Sequence, residues 1–443
     1  MKRIALTVVA LALSSLALSC SSYNNPSGTT SSSSGSGSSS STSSGSKGAS
    51  SGLAFRAFIS QDVQLPVSST FPSGVSPGLF VMDATQDLRS TVFISTNNTA
   101  GRLILAPNKS VTLALGTEDT TVSVVNNQQE SQSGTITLPA VTESVAMSPN
   151  GAIGYAAVGN APMPGLAPGA IEVLNLVSPG ITTTIPAPAA HYVVASHNGN
   201  RLLVFSDNSD TVTVVFTGNI LTSGTVTTGI SGFDRPIYSF FSSDDSTAWV
   251  LNCGPECGGT QASVQEVDLT TNSLAGPPIP VSAATVGLLQ ATTLYVAGTP
   301  LTSPANACTG ATTAATTCGR VSVIDLNAKK VTASYVITDG YHNRIGLSDN
   351  GQLFIGARGC TNISNGNETR GCLSILNTPS ATVVIPPQNG DATGIQPIAK
   401  RNICYVVQNA QFFIYDTTTD ELRPSIDQID FSGQLIDVIA PDF

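Results

Sequence analysis

RVSVIDL, residues 320–326, decides the fold: a polar residue, apolar residues at every second position, an apolar doublet, then Asp325. The signature occurs eight times, as GLFVMD (78–83), TVSVVN (121–126), AIEVLN (170–175), TVTVVF (211–216), SVQEVD (263–268), RVSVID (320–325), CLSILN (372–377) and QFFIYD (411–416). Apolar residues at period two mark a strand that is partly buried. The closing Asp or Asn suits a tight turn, because its side chain can bond the backbone two residues on. Phe216 is the one departure. Successive closing positions stand 39 to 57 residues apart. Short strands repeating at that period predict propeller blades rather than a sandwich.

A second repeat lies upstream. SVAMSPNG (144–151), VVASHNG (193–199), YSFFSSDD (238–245) and RIGLSDNG (344–351) each read as a strand and a hairpin turn, and a second strand follows. The blade is therefore inner strand, turn, second strand, loop, RVSVID-type strand, turn, outer strand. The chain ends fit a closed ring: FRAFIS (55–60) is a second strand lacking an inner one, and LIDVIAPDF (435–443) is an inner strand lacking a second. The expected fold is all-β, a β-propeller of four-stranded blades closed by the C-terminal strand. Eight blades are favoured, with seven plus a degenerate segment as the alternative.

In these motifs the chain resembles the YVTN-repeat β-propellers, whose blades read SPDG, then YV, then VxVID. The likeness covers about residues 54–443, with SPNG, SHNG and SDNG at the turns and almost no motif over 286–296. It implies the architecture and, the family being functionally mixed, no particular activity.

Three segments follow in order. Residues 1–20 hold Lys2, Arg3, an apolar run over 4–18 and Ser19-Cys20, which is similar to a bacterial lipoprotein signal peptide. That resemblance implies lipidation of Cys20, the rival being ordinary secretion, and Ser21 implies outer-membrane or cell-surface placement. Residues 21–52 are mostly Ser, Gly and Thr, too poor in apolar side chains to fold, and read as a disordered tether. Residues 53–443 form the propeller domain. Aromatic residues recur in the second strands (Phe58, Tyr155, Trp249, Tyr295, Phe354, Tyr405), in register and so as packing between blades.

Charged residues make up 10 % of the chain, against about 25 % for ordinary domains, and the net charge is −10. No basic patch stands out, so nucleic acid is not an expected partner. Six cysteines fall in close pairs, Cys253 with Cys257, Cys308 with Cys318, and Cys360 with Cys372, each between a second and a third strand. An exported chain permits disulfides there, whereas CGPEC lacks a nearby His or Cys to complete a metal site. Cys404, within ICYVV, reads as a buried free thiol.

In a four-stranded blade the second-to-third loops and the blade-to-blade connections share one face. The long insertions therefore gather there, and loops on a rigid frame commonly carry binding. Aligned repeats place Arg102, Ser144, Tyr192, Tyr238 and Arg344 at one slot around the mouth of the central channel. Glu143, His191 and Asn343 occupy the slot before, with Asp234 and Arg235 a little earlier, and His342, like His191, falls just before an inner strand at the mouth. The candidate binding residues are Glu143, His191, Tyr192, Arg235, Tyr238, His342 and Arg344.

No nucleotide loop, HExxH or GxSxG elbow appears in context. DNSD (207–210) lacks calcium-loop spacing and reads as a turn. No cofactor and no metal are expected. The leading expectation is a non-enzymatic, lipid-anchored module, monomeric, that binds an envelope protein or glycan through its loop-rich face. The alternative is a hydrolase or lyase acting on a lactone-like small molecule at the channel mouth.

Overall fold

Every copy of the 320–326 pattern becomes the third strand of a four-stranded antiparallel sheet, and eight such sheets follow one another along the chain. The computed structural model describes residues 48–66, 74–96, 100–116, 118–220, 226–301, 318–361, 363–365, 368–424 and 426–443. Cys20, Cys308 and residues 21–47 of the expected tether lie outside the described residues. The sheets form an eight-bladed β-propeller. In blades 5 and 8 the outer strand is split in two, and blade 7 carries an extra two-stranded hairpin in its loop.

The ring closes as the chain ends require. Arg56–Gln61 pairs with Gly78–Asp83 on one side and with Leu435–Ile439 on the other, Phe58 opposite Ile439 and Ile59 opposite Val438. Blade 1 is thus completed by the last strand, which covers the inner edge of Arg56–Gln61.

The turn chemistry explains both repeats. Asp325 Oδ1 accepts from the N–H groups of Asn327 and Ala328 at 2.9 and 3.0 Å, and Asp83, Asn175, Asp268 and Asp416 make the same bond two residues on. Phe216 cannot, and there the chain runs instead into a 3-10 turn, Thr217–Asn219. In the upstream turns Ser148, Ser196, Ser242 and Ser348 each donate to the Asn or Asp two residues later. The same hydroxyls accept from the N–H that opens or adjoins the second strand.

The third strands are buried on both faces, not one. Ser123, Glu172, Gln265, Ser322 and Ser374, at the polar positions of the alternation, are all sealed between blades. Such groups need hydrogen bonds: Ser374 Oγ accepts from Thr338 N–H at 3.0 Å, and Glu172 Oε2 accepts from the Thr184 hydroxyl at 2.6 Å. The aromatic residues of the second strands are buried in the interblade clusters.

Residues 48–52, read from sequence as the end of the tether, are fixed on the ring. The N–H groups of Ser50 and Ser51 donate to Glu130 Oε2 at 2.9 and 2.6 Å. Glu130 also pairs with the buried Arg56 (3.3 Å), which makes a double contact to Asp442 at 2.7 and 2.8 Å. This contact lies at the turn end of blade 2, after Thr121–Asn126, on the face opposite the second-to-third loops.

Candidate ligand site at the channel mouth

Five inner strands carry the same one-residue bulge at their loop-face ends. His191, Ile237, Asn343, Thr393 and Ile436 are skipped by the pairing with the second strand. A bulge re-aims the side chains around it. Tyr192, Tyr238, Arg344, Gly394 and Asp437 follow it at equivalent positions, so the first three share a slot as their repeats imply.

Equivalent backbone does not mean equivalent exposure. His191 keeps its ring near the surface, 17 % exposed, stacked on Tyr192 with centroids 4.1 Å apart. Its Nδ1 lies 2.6 Å from Asp207 Oδ1, and its Nε2 lies 3.9 Å from Glu143. Burial alone would lower its pKa, but the two carboxylates outweigh burial and raise it to about 9. At neutral pH His191 is therefore an imidazolium, not a base.

Arg235 occupies the left-handed region at φ 56°, a conformation costly for a side chain with a Cβ. Asp210 steadies it, accepting from its N–H at 3.1 Å and from its guanidinium at 3.3 Å, while Cys253 N–H donates to its carbonyl. Arg344 is buried and pairs with Asp437 at 3.3 Å. Tyr238 is packed edge-on against Phe240 in the interblade core and presents no ring face at the surface.

His342 does not reach the mouth. It is fully buried, directed at blade 6, where a Cβ on Gly319 would stand 2.6 Å from its ring. Burial lowers its pKa to about 4, so it stays neutral. The bulge at Asn343 accounts for this: it reverses the alternation between His342 and Arg344.

Glu256 was not singled out from the sequence. It sits in the 3-10 turn Gly254–Cys257, closed by the Cys253–Cys257 disulfide with Cα atoms 5.6 Å apart. Asp234 locks the other side of this loop by accepting from the N–H groups of Thr260 and Gln261. Desolvation raises the Glu256 pKa to about 8, opposed only by the Thr299 N–H that donates to Oε2 at 3.0 Å.

These groups share a cavity of about 370 Å³ at the axial mouth, lined by His191, Tyr192, Asp207, Arg235, Glu256 and, from across the ring, Tyr341 among others. Most of its charge is already paired, and a protonated Glu256 can donate a hydrogen bond into it. Among the described residues no three His, Cys, Asp or Glu side chains converge as a metal site. The second disulfide, Cys360–Cys372, closes the loop of blade 7 on the same face. Cys318 is disulfide-bonded and Cys404 is free and buried. Disulfides of this kind fit an oxidising compartment.

Among solved structures the chain is similar to the Kuenenia stuttgartiensis hydrazine synthase (TM-score 0.54, 15 % identity, 72 % of this chain and 96 % of that one). It is similar also to the dihydro-heme d1 dehydrogenase NirN in complex with DHE (TM-score 0.61, 11 % identity, 87 % and 75 %). A eukaryotic initiation factor matches at TM-score 0.51 and 14 % identity, over 87 % and 98 %. Likeness at such identities concerns the fold alone. No protein-family model and no curated protein matches the chain.

Proposed function

We propose that the chain is an exported binding module, lipid-anchored through Cys20, that takes a polar group of an envelope protein or glycan into its axial mouth. The cavity carries this reading. A concave site of about 370 Å³, walled by a disulfide-closed turn and set with convergent polar groups, is the form a ligand site takes. The lipoprotein-like start supplies the anchor, and the propeller resembles YVTN-repeat rings. Because residues 48–52 dock on the opposite face, a tether from Cys20 would hold the mouth turned away from the membrane.

Capture by the immobilised chain from envelope extract and from a purified glycan panel tests it. Arg235→Glu, at the mouth, is expected to lose the captured species, and His197→Ala, on the opposite face, to keep it. Loss with His197→Ala and retention with Arg235→Glu would overturn the reading.

One observation favours a second reading, a hydrolase or lyase of lactone-like substrates. Glu256, with its pKa raised to about 8, lines the same cavity as His191, and perturbed groups in a cleft are candidates for acid–base work. Turnover of simple γ- and δ-lactones that Glu256→Gln abolishes would establish it.

A further inference from the structure

One charge at the mouth is left over. His191 is held by Asp207 and Glu143, Arg235 by Asp210, and Arg344 by Asp437. Arg358, at the end of the second strand of blade 7, has its Nε buried without a hydrogen-bond partner, as Arg235 does, but unlike Arg235 its guanidinium forms no ion pair with a carboxylate among the described residues. It pairs across the ladder with Tyr341, which lines the cavity. Arg344, Glu143, Asp391 and Asp437 all lie within its electrostatic reach.

Those carboxylates are engaged elsewhere. Asp437 accepts from Arg344 and from the N–H groups of Leu103 and Val438 at 3.1 and 2.9 Å. Asp391 accepts from Gly359 N–H at 2.8 Å, and Glu143 faces His191. Burial first, and then the Arg344 guanidinium, hold the Arg358 pKa below the ordinary arginine value, against the opposing pull of Glu143, Asp391 and Asp437. A half-buried guanidinium whose charge is only partly compensated, and by no direct ion pair, destabilises a fold. A group kept at such a cost is characteristic of sites that await a ligand.

We propose that Arg358, backed by Arg344, is an oxyanion-binding group, and that the ligand taken into the mouth presents a carboxylate or a phosphate to it. A planar guanidinium meets either group through two parallel hydrogen bonds. The proposal deepens the capture reading and rests on it, since it names the chemistry of what the mouth receives. A chain that captured neutral glycans at the cavity but no anion would overturn the proposal and leave that reading standing.

The test is thermal unfolding of the folded chain titrated with inorganic phosphate and with galacturonate, at constant ionic strength, for wild type, Arg358→Gln and His197→Ala. A ligand bound only by the folded state raises the melting temperature with its concentration. Wild type and His197→Ala are expected to respond to at least one probe, and the responding probe distinguishes phosphate from sugar carboxylate. Arg358→Gln is expected to bind it at least about tenfold more weakly. In anion-free buffer Arg358→Gln is expected to melt above wild type, because an unpaired charge is gone. An equal response in Arg358→Gln, no response in wild type, or a lower melting point of Arg358→Gln without anion would each overturn the proposal.

Discussion

The hydroxyl of Ser60 accepts a hydrogen bond from the backbone N–H of Asp437 at 3.0 Å, across 377 positions of sequence. The side chain of Asp437 then reaches Leu103 N–H in blade 2 and Arg344 in blade 7. One residue of the last strand thus touches blades 1, 2 and 7. Removing residues 434–443 would bare the inner edge of Arg56–Gln61, and bare edges pair with other chains. The truncated chain is expected to aggregate or to lose its cooperative melting transition, as read by size exclusion and thermal unfolding. A monomer with an unchanged melting point would contradict the closure.

A second clasp joins blade 8 to blade 1. Asp87 is buried and accepts from both terminal nitrogens of Arg401, from Arg423 and, at 2.5 Å, from the Tyr405 hydroxyl. Burial opposes the charge, but these partners win and hold its carboxyl below the usual range. Asp87→Ala leaves two half-buried guanidiniums unpaired, and the expected loss is about 3 kcal/mol of unfolding free energy. Urea unfolding measures it. A loss below about 1 kcal/mol would mean that water replaces the carboxylate.

Glu256 makes a prediction whose sign is fixed. Its folded pKa of about 8 lies above the ordinary 4.5, so between those values the folded chain holds a proton that the unfolded chain has released. Stability then falls as pH rises from about 4.5 to about 8. His191 acts in the same direction further up: its contribution is complete below about 6.5 and is lost as pH rises through about 9. Glu256→Gln is expected to flatten the first part of this decline, by on the order of 2 kcal/mol after allowing for water at its partly exposed edge. Melting curves from pH 5 to 8.5 decide the point; parallel profiles for wild type and variant would refute it.

The Cys253–Cys257 bridge closes a loop too short to stabilise the whole fold by more than about 2 kcal/mol. Its local effect is to keep Glu256 against Thr299 N–H, beside Gly298, where a Cβ would approach Oε2 to 3.0 Å. Replacing both cysteines by serine should therefore lower the melting point by a few degrees. It should also remove most of the pH dependence attributed to Glu256. A double variant that kept the wild-type pH profile would show that the bridge does not position the carboxyl.

The ring was legible because its rules are local. Asp325 caps its own turn, Ser348 caps the next hairpin, and Phe216 departs just where the turn departs. The mouth was legible only in its backbone. Repeats aligned Tyr192, Tyr238 and Arg344 correctly, yet Tyr238 is sunk in the core, Arg344 is consumed by Asp437, and His342 faces blade 6. Those outcomes depend on a bulge and on neighbours from other blades, which periodicity does not encode. Glu256 and Arg358 were missed for the same reason: what sets them apart is burial and the absence of a counter-ion, properties of the assembled ring.

Hydrogen–deuterium exchange of the chain with and without envelope extract tests the mouth most directly. The account predicts slowed exchange confined to the segments around His191 and Tyr192, Asp207 and Asn208, Arg235 to Ile237, and Glu256 to Gly258. Protection on the opposite face instead, in the turns around Gly151, Gly199 and Gly351, or no protection at any segment, would contradict it.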